Sequence, residues 1–258
     1  MKHLFGLEGR AALEALMRAR PLLAFDFDGT LAPIVARPSA ARVPTAVAQR
    51  LRRLAKRLPV AVVSGRAIAD LRHRLGFEPS FVVGSHGAED GLDPGLARLR
   101  ASKLDALRAR IGARHAELST AGILVEDKSQ SLALHYRLAP DRERAQALID
   151  DLLGGAGPEV EIFGGKMVAN VVAAGSPDKA HAVRQLAARS RTTHVFFAGD
   201  DVNDEPVFAA AGPHWLTVRI GRACRDSKAR YFLDGPAEMA IALQAMLDAL
   251  DRQRSDAP

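Results

Sequence analysis

Apolar residues gather in short unbroken runs at both ends of the chain, whereas the middle alternates. Residues 22–28 (LLAFDFD), 60–64 (VAVVS), 81–84 (FVVG), 194–199 (HVFFAG) and 215–220 (WLTVRI) read as strands with apolar groups on both faces. Helical spacing separates them. Residues 4–20 carry Leu13, Leu16 and Met17 and stop at Pro21; residues 45–58 place Val47, Leu51, Leu54 and Leu58 on one face. Further helices are expected at 67–75, 179–189, 205–211 and 237–250. Buried strands alternating with helices predict an α/β fold, a parallel sheet covered on both sides.

The middle differs. Residues 96–118 read as one long basic helix with Leu96, Leu99, Leu104, Leu107, Ile111 and Leu118 inward. Residues 123–127 and 131–137 alternate apolar and polar, as half-exposed antiparallel strands do. A helix at 142–153 follows, then strands at 159–163 and 167–172 joined by Gly164-Gly165. This αββαββ stretch is expected to form a separate α+β domain over 93–174, inserted in a domain of residues 1–92 and 175–258. Asp93-Pro94-Gly95 and Gly175-Ser176-Pro177 would serve as hinges.

Composition narrows the class. Of 258 residues, 48% are apolar and 26% charged, an ordinary globular balance. No run approaches a membrane span, and Glu8, Arg10 and Glu14 stand where a secretion signal needs an apolar core. A single cysteine, Cys224, permits no internal disulfide and is expected, like Trp215, to be a packing residue. A cytoplasmic protein follows as the expectation. The net charge of +6 admits an anionic substrate or nucleic acid. One Trp and two Tyr, not interleaved with the basic stretch, disfavour a nucleic-acid platform. Arg98, Arg100, Lys103, Arg108, Arg110 and Arg114 are expected to form a solvated face.

Chemistry concentrates at strand ends. Asp26-Phe27-Asp28-Gly29-Thr30 closes the first buried run, and alternation sends both aspartates to one side. Two carboxylates at the carboxyl edge of such a sheet suit a nucleophile with a general acid/base, or a magnesium site. Asp200, Asp201 and Asp204 follow another buried strand. If the two strands are neighbours, these carboxylates share one crevice and need a cation, with magnesium the natural hard ion and Lys179 a further counter-charge. Ser64-Gly65-Arg66 could form a phosphate cradle. A non-catalytic binding module on a retained fold is the rival from another class, with nothing but the basic surface to favour it.

The order DxDGT, Ser64, Lys179, GDDxxD resembles the haloacid-dehalogenase-type phosphohydrolases. Within that superfamily, DFDGTLAPIV, VVSGR, Ser85–Glu89 (SHGAE), Val125–Lys128 (VEDK), Leu134–Arg137 (LHYR), Gly165-Lys166 and GDDVNDEPVF resemble the trehalose-6-phosphate phosphatase family. The resemblance implies a Rossmann-like core with an inserted cap, and hydrolysis through an aspartyl-phosphate. Asp26 would be the nucleophile and Asp28 the acid and base. Mg2+ would be held by Asp26, the Asp28 carbonyl and Asp200, with Asp201 and Asp204 outside them. Ser64, Gly65 and Lys179 would bind phosphate. Arg66, His86, Gly87, Glu126, Lys128, His135, Arg137, Lys166 and Asn170 would bind a phosphorylated sugar, in a monomer or weak homo-oligomer that binds neither nucleic acid nor membrane. Asn170 and Val172 depart from the family, which has glutamate and a basic residue there, so the sugar itself stays open.

Overall fold

The computed structural model describes residues 1–35, 37–90, 94–222 and 226–255; Cys224 and Asp93 lie outside the described residues. Contacts divide the chain into two compact units, Met1–Gly87 with Asp178–Pro258, and Ala88–Pro177.

The first unit opens with strand β1 (Lys2–His3), helix α1 (Leu7–Arg18), β2 (Leu22–Phe25), α2 (Thr45–Ala55), β3 (Val60–Val63), α3 (Ile68–Arg72) and β4 (Phe81–Val83). The second holds α4 (Pro94–Ser102), α5 (Asp105–Ala113), α6 (His115–Thr120), β5 (Leu124–Asp127), β6 (Ser131–His135), α7 (Arg142–Gly154), β7 (Val160–Gly165) and β8 (Val168–Ala173). The first then resumes with α8 (Lys179–Arg189), β9 (Val195–Gly199), α9 (Glu205–Ala209), β10 (Trp215–Ile220), β11 (Tyr231–Leu233) and α10 (Met239–Ser255).

Seven strands of the first unit form one parallel sheet in the order β1-β11-β10-β9-β2-β3-β4. Every residue of β2, β3, β9 and β10 is buried, as the unbroken apolar runs require. Alternate side chains enter opposite layers. Leu23, Phe25, Val60, Val62, Phe196 and Val218 pack with α1, α2 and α10; Leu22, Ala24, Ala61, Val63, Val195, Phe197 and Trp215 pack with α8 and α9. From β2 the chain steps outward to β3 and β4, then returns on the other side through β9, β10 and β11. The strand order therefore reverses between β2 and β9, and open α/β sheets bind ligands beyond the carboxyl ends of the strands at such a point.

Two short strands at one end of the sheet, the edge strand β1 and its neighbour β11, escaped the sequence reading. β1 and β11 pair in parallel over Lys2↔Tyr231 and His3↔Phe232. They are two and three residues long, and Lys2–His3 has no apolar residue to mark it.

The second unit is a four-stranded antiparallel sheet, β5-β6-β8-β7, backed by helices. Its core is Leu104, Leu107, Ile111, Leu118, Leu132, Leu134, Ile149, Leu152 and Val171 with their neighbours. The expected helix over 96–118 is three helices. The break after Ser102, whose hydroxyl donates to the Leu99 carbonyl, takes α4 out of that core. Leu96 and Leu99, expected inward, are exposed. The β7–β8 turn falls at Lys166-Met167 rather than at Gly164-Gly165, because both glycines stay in register, Gly164 with Ala169 and Gly165 with Val168. Met167 adopts φ 60° to close it. The basic helices are partly paired internally: Arg108 binds Asp127 and Asp105, and Arg114 binds Glu117 and Asp151. Among the described residues no helix is long and apolar enough to cross a membrane.

Ile149 is fully buried in the second unit's core. Ile149→Ala is expected to lower unfolding free energy by about 2–5 kcal/mol. Urea denaturation measures it, and hydrogen exchange should accelerate in α7 and β6 while α2 and β2 keep their protection.

Candidate active site

The site starts where β2 ends. The Asp26 N–H still donates to the Ala198 carbonyl of β9 (2.9 Å), so Asp26 stands level with Gly199. The strand then stops three residues before the expected end. The Phe27 carbonyl accepts from the N–H groups of Thr30, Leu31 and Ala32, curling the chain, and Gly29 takes φ 79°. Phe27 is fully buried in the core, so Asp26 and Asp28 leave on the other side. Gly29 is required twice, by its positive φ and by the Asp200 carboxylate, which fills the space a β-carbon would need.

Lys179 opens α8, whose start is capped by the Asp178 side chain accepting from the His181 N–H. The Lys179 ammonium lies buried between two carboxylates, donating to Asp26 Oδ1 and Asp204 Oδ1, each at 2.7 Å. Asp204 Oδ2 accepts from the N–H groups of Asp200 and Asp201, both 2.9 Å. One fully buried side chain thus orients the lysine and folds the loop after β9. Gly199 belongs to the same device, because a β-carbon there would strike the Asp204 carboxyl.

Oxygens of Asp26, Asp200 and Asp204 all lie within 4.8 Å of one another, and all three residues are buried. If ionised, three carboxylates against one ammonium leave two excess negative charges. Burial pushes the Asp26 carboxyl well above the ordinary range; Lys179 opposes this, and Asp204 and Asp200 add to it. Burial also works against the Lys179 charge, yet Asp204 and Asp26 hold its pKa well above the usual lysine value. A hard divalent cation suits this all-oxygen, electron-rich donor set. Asp201 is not in the cluster; its carboxylate accepts from the Val202 N–H and caps the following turn. Asp28 is also outside it, bound through both oxygens to Arg66 at 2.7 Å. The five carboxylates expected in one crevice therefore divide into a buried trio, a cap and an arginine-bound partner.

β3 supplies Ser64, whose hydroxyl accepts from the Arg66 N–H at 3.2 Å. The helix expected over 67–75 follows as α3, Ile68–Arg72. Beside it, β4 ends in three consecutive positive-φ residues, Ser85 (48°), His86 (59°) and Gly87 (116°). This conformation, about 1–3 kcal/mol unfavourable at each non-glycine residue, is held by bonds from Ser85 N–H to the Arg66 carbonyl and from His86 N–H to the Ser64 carbonyl. It lays the His86 imidazole where a β-carbon on residue 65 would be, which is why that residue is glycine.

In the second unit, register places Glu126, Ala133, Asn170 and Phe163 in one row across the sheet. Glu126 Oε2 lies 3.0 Å from His135 Nε2 and 3.5 Å from Lys128 Nζ, so these three predicted residues meet. Asn170 is buried. Strand β6 ends at His135, so the expected shared parity does not carry to Arg137, whose guanidinium donates to the Lys166 carbonyl at 3.2 Å. Lys166 is exposed in the β7–β8 turn.

The sequence reading missed two braces. Arg219, buried on β10, donates to Glu205 (2.6 Å) and to the Asp200 carbonyl (3.0 Å). Asp70 joins Arg66 at 2.8 Å and Arg74. Burial raises the Asp70 carboxyl, but the bonds from Arg74 and Arg66 outweigh it and hold it below its ordinary value. No motif flagged them; buried polar positions on a strand end and on a helix with i, i+4 arginines were the available signals.

Lys179→Met would leave Asp26 and Asp204 facing each other without a cation, and is expected to destabilise by about 3–5 kcal/mol in urea unfolding at pH 7. Adding Asp204→Asn should recover part of the loss; a double variant no more stable than the single one would refute that origin. A second expectation concerns pH. Because the folded state lowers Asp70's pKa, its stabilisation is present above the unfolded value of about 3.9 and lost as pH falls through the lower folded one. Asp70→Asn should therefore be less stable than the parent at pH 7, with thermal midpoints converging below about pH 4.

The trehalose-phosphatase family model matches residues 24–237. A probable trehalose-phosphate phosphatase of Sinorhizobium fredii is 34% identical over 235 residues, covering 88% of this chain and 86% of that protein. The trehalose-phosphate phosphatase of Mycobacterium tuberculosis is 29% identical over 270 residues, covering 98% of this chain; the chain spans 66% of that relative's length. The solved C-terminal domain of C. albicans trehalose-6-phosphate phosphatase has the same fold, with TM-score 0.77 and 22% identity over 93% of this chain and 96% of that one. With its parallel core sheet, its inserted antiparallel sheet and its strand-end motifs matched from Ala24 to Ala237, the chain belongs to the trehalose-phosphatase family.

Proposed function

We propose that this chain is a magnesium-dependent phosphatase that hydrolyses trehalose 6-phosphate through an aspartyl-phosphate. The observation that carries the reading is the buried Asp26–Lys179–Asp204 set with Asp200 at the β2/β9 reversal. Family membership supports the substrate class.

In this reading a carboxylate oxygen of Asp26 attacks phosphorus, and the bond from phosphorus to the sugar oxygen breaks. Asp28 gives its proton to that departing oxygen. It then takes a proton from the water that attacks phosphorus and releases Asp26. Lys179 fixes the Asp26 carboxylate through Oδ1 and leaves the attack to its other oxygen. Ser64, Gly65 and Lys179 bind the phosphoryl oxygens, where charge gathers. Asp26, the Asp28 carbonyl and Asp200 would hold Mg2+, with Asp204 and Asp201 shaping the loop behind them. The ion would supply positive charge against the carboxylates and the phosphoryl oxygens.

Residues 1–87 and 178–258 serve as the catalytic core and 88–177 as the cap. The Glu126–His135–Lys128 cluster, with Asn170, Arg137 and Lys166, binds sugar hydroxyls, and His86 and Gly87 contact the sugar from the core. The protein acts in the cytoplasm as a monomer or weak homo-oligomer. A second reading has specific support. Asn170 carries a buried Nδ2 without a hydrogen-bond partner among the described residues and stands where the family has a carboxylate, so its amide donates where glutamate accepts. The missing carboxylate charge leaves room for another phosphorylated sugar or glycoside, cleaved by the same chemistry.

Free-phosphate release from a panel of sugar phosphates tests both. Trehalose 6-phosphate is expected to give the highest kcat/KM, with EDTA abolishing turnover and Mg2+ restoring it. Asp26→Asn should lower kcat at least about a hundredfold. A clear preference for another ester would replace trehalose 6-phosphate, and unchanged turnover by Asp26→Asn would remove the covalent mechanism.

A further inference from the structure

Arg66 was expected to bind substrate, but its donors are engaged inside the first unit. Nε and Nη2 donate to the two oxygens of Asp28, both at 2.7 Å, and Nη2 also reaches the Pro38 carbonyl at 2.9 Å. Nη1 donates to Asp70 Oδ2 at 2.8 Å. The guanidinium lies 5.2 Å from the centre of the Phe27 ring, the residue between the two site aspartates. Behind it, Asp70 Oδ1 accepts from Arg74 Nε at 2.8 Å and from Arg74 Nη2. Arg74 Nη1 is tied to the carbonyls of Ser39 (2.5 Å) and Ala41 (3.2 Å). The result is an alternating file of charges, Arg74, Asp70, Arg66, Asp28. Its arginine side chains are about nine-tenths buried, at 10% and 9% exposure, whereas Asp28 at its head is 43% exposed.

We propose that Asp70 is a positioning residue for the reaction: it holds Arg66 Nη1, and so fixes the fork that aims the Asp28 carboxylate. The inference rests on the acid/base role proposed for Asp28. A two-bond fork sets the plane of a carboxylate as well as its place, whereas a single contact sets only distance. A fork aims only if its far side is anchored, and Asp70 supplies that anchor from α3, whose Leu71 is fully buried in the core. Arg66 and Arg74 stand four residues before and after Asp70, flanking the short helix that carries it, and both reach its carboxylate. Without the Asp70 charge, Arg66 and Arg74 become two buried cations with no carboxylate between them, and Arg66 loses its outer bond.

The test compares leaving groups on the full chain with Mg2+. Trehalose 6-phosphate releases an alkoxide that must be protonated; p-nitrophenyl phosphate releases a phenolate that need not be. Asp70→Asn is expected to lower kcat on the sugar ester about tenfold, a part of what positioned proton transfer contributes, with KM within about twofold. The pre-steady-state burst of p-nitrophenolate, which reports phosphoryl transfer to the enzyme alone, should stay within about twofold. Asp70→Glu should restore most of the sugar-ester rate. Arg66→Lys, which keeps the charge without the fork, should repeat the Asp70→Asn pattern and carries the test if Asp70→Asn does not fold. An equal fall on both measures, or no fall on the sugar ester, would overturn the proposal. Asp28→Asn separates the two layers: full sugar-ester turnover by that variant would remove the acid/base reading itself.

Discussion

An ammonium group shut away from water costs several kcal/mol in lost hydration, so Lys179 persists only because carboxylates contact it on two sides. That constraint sets the rest of the site. Asp26 comes from the end of β2, Asp204 from the loop after β9, and Lys179 from the first residue of α8. One cation therefore ties together the two strands between which the sheet reverses and the helix packed over them. The tie leaves the centre negative overall, and that excess suits a hard divalent cation. A neutral replacement for the lysine would relieve its own desolvation but strand the acids, so the three are retained or lost as a set.

Close packing follows from the same centre. Gly29 yields its side-chain space to the Asp200 carboxylate, Gly199 to Asp204 and Gly65 to His86. In each case the absent β-carbon lets a polar group approach the backbone at or just beyond the end of a strand. The strained turn at Ser85 and His86 belongs with them, since its bonds to the Ser64 and Arg66 carbonyls lock the ends of β3 and β4 together. The Arg219 brace on the Asp200 carbonyl does the same for the loop after β9.

Much of this was legible because burial leaves a local trace. Strands covered on both faces read as unbroken apolar runs, and β2, β3, β9 and β10 were found that way. Aspartates at their ends stood out against that background. What escaped depends on partners distant in sequence. β1 and β11 are too short to show a period and exist through their partners, β11 lying between β10 and β1. The helix over 96–118 has a continuous periodicity, but the break after Ser102 removes Leu96 and Leu99 from the face the pattern gives them. Within the motifs, residue types marked where chemistry would gather but not which pairs would form. Asp28 stands two residues from Asp26, yet it joins an arginine 38 positions on rather than the acidic trio.

On the roles proposed for Asp26 and Asp28, that separation has a functional logic rooted in Phe27. The ring is fully buried, which fixes the backbone between the two aspartates and turns both carboxylates away from the core. Their surroundings then diverge. Asp26 lies deep against the Lys179 ammonium, whereas Asp28 is 43% exposed on its arginine fork. A nucleophile that becomes phosphorylated needs exact placement and has no proton to trade, so burial suits it. A group that gives a proton to a leaving oxygen and regains one from water must exchange with solvent in every cycle, and a half-open carboxylate can do so. Two identical side chains thus acquire different capacities from one intervening aromatic residue, the ammonium on one side of it and the guanidinium on the other.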